Sequence, residues 1–251
     1  MKTRALTAFL AFSVVLFSCK KDEKEETPTP TESVPTVRVN ISNEVDGTVI
    51  TTGDYLYTNE AGEPYGVGML KYYLSYFTLI KDDGTEVVLN DHKLVDGLNT
   101  SNNFLQKSGI PEGNYTGVKF YIGVDDVHNH TGAQEGDLDP INGMLWTWNT
   151  GYIFFKHEGQ YRKADQSSAY MTYHWATDQM YQSIELPISF TQTKEEKTLK
   201  LTFNLNDLYR TPNVVTFEGN DLHQSLAAGD HDWLYDLKEN FLTAFTVEVV
   251  S

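Results

Sequence analysis

Residues 69–81, MLKYYLSYFTLIK, constrain the fold more than any other stretch of this chain. Apolar and aromatic side chains stand at odd and even positions alike, and a strand sends successive side chains to opposite faces. A segment with two apolar faces has to be covered on both, which places it centrally in a sheet with further layers above and below. Asp82-Asp83-Gly84 then turns the chain into a returning arm at residues 86–89, a hairpin.

Other segments carry the plain two-residue period of half-buried strands. Val37, Val39 and Ile41 alternate with Arg38 and Asn40, and over residues 115–124 Val118, Phe120 and Ile122 face one way while Lys119 and Tyr121 face the other. Further strands are expected at residues 49–51, 55–57, 170–175, 184–190, 199–205 and 244–250, with Gly47, Gly53 and Gly62 marking turns. The 15 Tyr and 13 Phe favour strands over helices. Residues 220–228 and 232–241 read as short helices, capped by Asn220 or Asp221 and by Asp230. The expectation is an all-β protein, an antiparallel β-sandwich with one or two short helices near the C-terminus.

The N-terminus has a different logic. Residues 1–18 place Lys2 and Arg4 before an apolar run at 5–17, the layout of a signal peptide. Leu16-Phe17-Ser18-Cys19 looks like a bacterial lipobox, so Cys19 is expected to be the lipidated first residue of the mature chain. Residues 19–35 mix charges with Thr and Pro and read as an extended tether. The acidic patch after Cys19 resembles the export signal of Bacteroidetes surface lipoproteins. The expected location is therefore the bacterial cell envelope, lipid-anchored to the outer membrane and either periplasmic or surface-exposed, with the anchor as the only membrane contact.

Charge and cysteine content exclude several functions. Without residues 1–18 the chain holds 17 basic against 35 acidic residues, a charge near −18, which argues against nucleic acid as a partner and favours cations. Cys19 is the only cysteine, so the folded part has no disulfide, thiolate metal cluster or thiol nucleophile. Nor does the sequence hold a Gly-x-Ser-x-Gly elbow, a Walker loop or a complete His-Glu-x-x-His; His157-Glu158-Gly159 stops short of the last.

Residues 136–159, GDLDPINGMLWTWNTGYIFFKHEG, hold Trp146 and Trp148 between a turn-rich acidic start and an aromatic run. Two apart, both indoles can be core mass on one strand face; alternatively, Gly143 and Gly151 permit close backbone approach to them. Candidate imidazole ligands are His92 after the hairpin, the pair His128-x-His130 in a polar loop, His174 on a strand, and His223 near the expected helices. His174 shares a face with Tyr170 and Thr172, opposite Met171, Tyr173 and Trp175, where a hydrogen-bonded structural histidine is the competing reading. A solvated loop competes for His128 and His130. Asp125, Asp126, Asp137 and Asp139 offer oxygens for Ca²⁺ without EF-hand spacing, and Asp137 before Pro140 is also suited to shaping turns.

Several motifs together resemble the MbnP-like copper-binding proteins: Tyr72-Tyr73-Leu74-Ser75, Ile110-Pro-Glu-Gly-Asn-Tyr115, Gly123-Val-Asp125, Gly136-Asp-Leu-Asp-Pro140, Gly143-Met-Leu-Trp-Thr-Trp-Asn-Thr-Gly-Tyr152 and Glu158-Gly159. The likeness covers about residues 36–251. It implies an extracytoplasmic β-sandwich that binds copper, is not itself an enzyme, and is encoded beside a diheme partner of the MauG type that oxidises a tryptophan of the Trp-x-Trp motif to kynurenine. In the family, histidines and the kynurenine hold the copper; one such histidine lies where this chain has Ser75. The rival reading is a surface recognition module whose aromatic cluster stacks on a glycan or a partner protein. A third is an enzyme using the acidic residues of the 125–139 loop.

Overall fold

In the computed structural model, which describes residues 33–146, 151–224 and 231–250, two sheets stack face to face. One is built on β1 (Thr36–Val45), which pairs with the short β2 (Thr48–Val49), with β6 (Phe104–Ser108) and with β11 (Lys197–Asn204), beyond which lies β13 (Phe245–Val249). The larger sheet centres on β4 (Pro64–Lys81), the long segment that the two-sided apolar pattern placed inside a sheet. Along it lie β3 (Tyr57–Thr58), β5 (Glu86–Asp96), β7 (Gly113–Ile122) and β8 (Ile153–Arg162). The sheet ends on β10 (Gln182–Gln192) beyond β7, and on β9 (Ser168–Ala176) and β12 (Leu222–Gln224) beyond β8.

Rings meet across the interface: Tyr72 of β4 lies 5.2 Å from Phe203 of β11, and Phe120 of β7 lies 5.2 Å from Phe245 of β13. These side chains, with Val37, Val39, Leu199 and Leu201, are fully or almost fully buried. Burial of so many large rings is the main stabilising term, at about 25 cal/mol per Å² of apolar surface removed from water.

The structure departs from expectation in four places. Two pairings are parallel, β1 with β11 and β12 with β9, so the sandwich is mixed rather than wholly antiparallel. Leu222–Gln224 forms β12 instead of opening a helix, because its backbone completes the edge of β9; residues 225–230 lie outside the described residues. The hairpin arm after Gly84 runs to Asp96 and takes in His92, since Leu89 and Val95 face the core on either side of its polar middle. The polar stretch after Asp125 is a single helical turn, α1 (Asp126–His130), whose N-cap is the Asp125 side chain, which accepts from the backbone N–H of His128. Near the C-terminus the expected second helix is present as α2 (His231–Asn240).

Tyr72 and Tyr73 point to opposite faces of β4. The Tyr73 face is covered by the connection between β7 and β8, with the Tyr73 hydroxyl donating to the Asp137 carbonyl at 3.0 Å and its ring 5.9 Å from that of Tyr152. That connection also holds α1 and Trp146: Asp137 lies against β5, and Trp146 lies beside Ala176 at the end of β9.

Candidate metal centre

A bulge in β4 creates the site. Between Ser75 and Thr78 the register against β7 shifts, and Tyr76 takes a φ of +50°, a conformation costly for a bulky residue without glycine's freedom. The bulge aims the Tyr76 hydroxyl at Asp125 Oδ2, 3.0 Å away. His92 reaches the same oxygen from β5 through Nε2 at 3.1 Å, and His128 reaches it from α1 through Nδ1 at 2.7 Å. The two imidazole rings are 4.5 Å apart. One potential ligand atom from each of His92, Asp125 and His128 lies within 4.8 Å of the others, and all three residues are half-buried.

The electrostatics suit a cation. Burial lowers the His92 pKa, and the neighbouring His128 lowers it further against the pull of Asp125, so its ring is kept neutral and able to ligate. Burial pushes the Asp125 carboxyl upward, but the hydrogen bonds from His128 and Tyr76 outweigh it and hold the group below the usual carboxylate range. A neutral imidazole beside an anionic oxygen is a donor set that copper, zinc, nickel and iron all accept.

A second group lies on the other side of α1. His130 Nε2 is 2.8 Å from Asp178 Oδ2 and 3.6 Å from Asp126 Oδ1, with all three residues exposed. Asp178 raises the pKa of His130. Asn129 ties this group to the tryptophan segment: its Nδ2 donates to Asp178 at 2.8 Å and its Oδ1 accepts from the Tyr152 N–H at 2.7 Å. Trp146 is 9% exposed and lines a cavity of about 270 Å³ together with His130, Gly151 and Asp178. Trp148 lies outside the described residues.

The other candidates stand apart. His174 is on the face of β9 opposite the buried Met171, Tyr173 and Trp175, with Nε2 2.8 Å from Glu158 Oε1. His223 stacks on Trp233 at 4.0 Å. Neither joins a group of three potential ligands among the described residues. The four carboxylates weighed for Ca²⁺ disperse: Asp125 and Asp126 serve different histidines, Asp137 reaches Lys93 at 3.4 Å and the Leu94 N–H at 2.9 Å, and Asp139 caps the turn at Ile141. The turn-shaping role expected of Asp137 therefore belongs to Asp139, while Asp137 pins the connection to β5.

The family profile described as MbnP matches residues 34–225. The chain belongs to the MbnP family. A solved structure described as MbnP from Methylosinus trichosporium superposes with a TM-score of 0.54 at 15% identity, covering 86% of this chain and 99% of that one, a likeness of fold. No curated protein matches the sequence.

Set on this MbnP fold, Ser75 is informative. It is fully buried and donates to the Gly123 carbonyl. Its partner across the β4–β5 ladder is His92. The residue that directly opposes Ser75 on the next strand, on the same sheet face, is thus an imidazole. Sequence reasoning missed Tyr76, whose role depends on the bulge, and Asp178, which lies far along the chain; no local pattern marks either.

Proposed function

We propose that this MbnP-family chain binds copper in the bacterial cell envelope, with His92, His128 and Asp125 as the protein ligands and Tyr76 orienting the carboxylate. The observation that carries the reading is the convergence of two imidazoles, one from a strand and one from a helical turn distant in sequence, on one carboxylate oxygen. The donor set fits copper: imidazole nitrogens with an anionic oxygen and no thiolate in the folded part. Bound copper would supply a charge and a redox couple; the chain's own residues pre-aim both imidazoles and keep that of His92 neutral, and no step catalysed by the protein is required. Family membership supports a copper-related role, and a lipid at Cys19 would keep that role at the membrane.

Oxidation of a Trp-x-Trp indole by a diheme partner is the finer part of the proposal. Trp146 supports it, being held against the His130 cavity by the same helical turn that carries His128. An aromatic recognition platform is less well supported, because Trp146 is nearly buried.

Copper titration of the apo 33–251 unit, which makes its own core, tests the ligand assignment. Binding is expected in the parent and in His174→Ala, and lost in the His92→Ala/His128→Ala double variant; a double variant that titrates like the parent would sink the assignment. Peptide mapping of protein produced with its diheme partner tests the modification, which both tryptophans at their unmodified mass would remove. Fatty-acid labelling lost in Cys19→Ser tests the anchor.

A further inference from the structure

His157 takes no part in the metal centre, and its surroundings suit another kind of chemistry. It sits on β8 with no exposed surface, and its Nδ1 lies 2.5 Å from the hydroxyl of Tyr209, also fully buried. The hydrogen bond has a definite direction. His157 Nε2 has no partner among the described residues, and the only hydrogen bond the Tyr209 hydroxyl makes there is to Nδ1. With the phenol donating to Nδ1 only the Nε2–H is left over; with Nδ1 donating, both the phenolic hydrogen and the Nε2 lone pair are stranded. Burial lowers the imidazole pKa to about 3, so the ring is neutral and Nδ1 keeps its lone pair.

Other buried tyrosines lack such a base. Tyr65 and Tyr72 donate to the amide oxygens of Asn206 and Asn43, and Tyr73, Tyr115 and Tyr152 to backbone carbonyls. None of these acceptors can carry the proton away. Tyr76 faces a carboxylate, but one already engaged by two imidazoles. Tyr209 is also joined to the periphery by rings: Tyr173 at 6.3 Å, and from Tyr173 to the partly exposed Trp233 at 4.6 Å. Four aromatic rings, those of Tyr65, Phe155, Tyr173 and Tyr209, have centroids within 6.5 Å of the imidazole and enclose it.

We infer that Tyr209 is a redox-active tyrosine that passes its phenolic proton to His157 when it loses one electron, with Tyr173 and Trp233 as the route to the surface. The oxidant is an outer-sphere one-electron acceptor of high potential. It gains one electron; the Tyr209 O–H bond breaks as an Nδ1–H bond forms, leaving a neutral phenoxyl radical, an imidazolium and the reduced acceptor. The proton returns on re-reduction, because a phenolate is a far stronger base than an imidazole. A phenoxyl radical is a much weaker oxidant than the protonated radical cation, and this one is sealed from solvent, so it outlives radicals on exposed rings such as Tyr170 and Tyr235.

Flash photolysis of the mature protein with a ruthenium tris-bipyridine oxidant and a sacrificial quencher, followed by freeze-quench EPR, tests the assignment. The expected result is a long-lived tyrosyl signal that acquires fluorine hyperfine splitting when ring-fluorinated tyrosine is placed at position 209 alone. This substitution leaves the fold and hydroxyl in place, so it does not depend on the stability of a deletion variant. The signal is expected to vanish in Tyr209→Phe and His157→Leu, and to form more slowly in Trp233→Phe. A long-lived signal without fluorine splitting, or no long-lived tyrosyl signal, overturns the inference, whatever the outcome of the copper titrations.

Discussion

Replacing Asp125 by asparagine tests the metal centre most directly, because one side chain joins all of its parts. Oδ2 receives hydrogen bonds from Tyr76 at 3.0 Å and from His128 Nδ1 at 2.7 Å, and lies 3.1 Å from His92 Nε2, while Oδ1 caps α1 through the His128 N–H at 3.3 Å. An asparagine of the same shape has one oxygen for these two tasks. If that oxygen keeps the cap, its NH₂ faces three groups two of which donate; if it keeps the hub, the cap is lost. A hydrogen bond to a charged acceptor contributes about 1.5–3 kcal/mol and a neutral one about half that, so the expected loss is roughly 2 kcal/mol for the partly exposed group. For a domain of this size that corresponds to a fall in Tm of roughly 4–8 °C. Loss of the anionic ligand oxygen is also expected to weaken copper binding by at least the roughly 10–100-fold that loss of a ligand's supporting partner costs.

The pH dependence supplies an internal control. The folded Asp125 pKa is lowered, so its contribution is present above the unfolded carboxylate value of about 3.9 and disappears as the pH falls through the folded value. Calorimetry of the two apo proteins should therefore show the Tm gap at neutral pH and its closure in strong acid. Equal melting temperatures and equal copper affinities at neutral pH would refute the reasoning.

Three further outcomes are expected. His174→Ala should leave copper affinity within a factor of about two, since ligation there would require the convergent support that a site needs, and isothermal titration reads it. His157 is neutral when folded, with a pKa of about 3; because that value is depressed, stability is retained above the ordinary imidazole value and lost as the pH falls from about 6.5 towards 3, on the order of 5 kcal/mol in total, measurable by urea unfolding across that range. Gly159→Ala should destabilise by about 3 kcal/mol in the same assay, because a Cβ there would lie 2.1 Å from the carbonyl oxygen of Gly66 on the paired strand β4, and backbone cannot yield as a side-chain tip does.

That last residue shows how motif and physics meet. Glu158-Gly159 is part of the family resemblance, and the structure explains the glycine as the only residue that lets β8 close on β4. Asp125, in the motif Gly123-Val-Asp125, has a similar double reason, as helix cap and as hub of the imidazoles. By contrast, the motif around Ser75 does not say what faces it. It takes the β4–β5 register to show His92 standing opposite, and no spacing in the sequence records which residues face each other across a ladder.

What the amino-acid order determined by itself was local: the two-residue alternation of strands such as residues 37–41 and 115–122, the two-faced burial of β4, the side of β9 on which His174 lies, and the family. Periodicity is written residue by residue, so it can be read without the fold. Three things were decided only in three dimensions, since each depends on partners distant in sequence. They are the parallel pairings that make the sheets mixed, the bulge that turns Tyr76 towards Asp125, and the meeting of His92 with His128. The reason is the same for all: strand register and the packing of the β7–β8 connection choose among many histidines and carboxylates, and that choice is made by burial of the rings around β4 rather than by the ligands themselves.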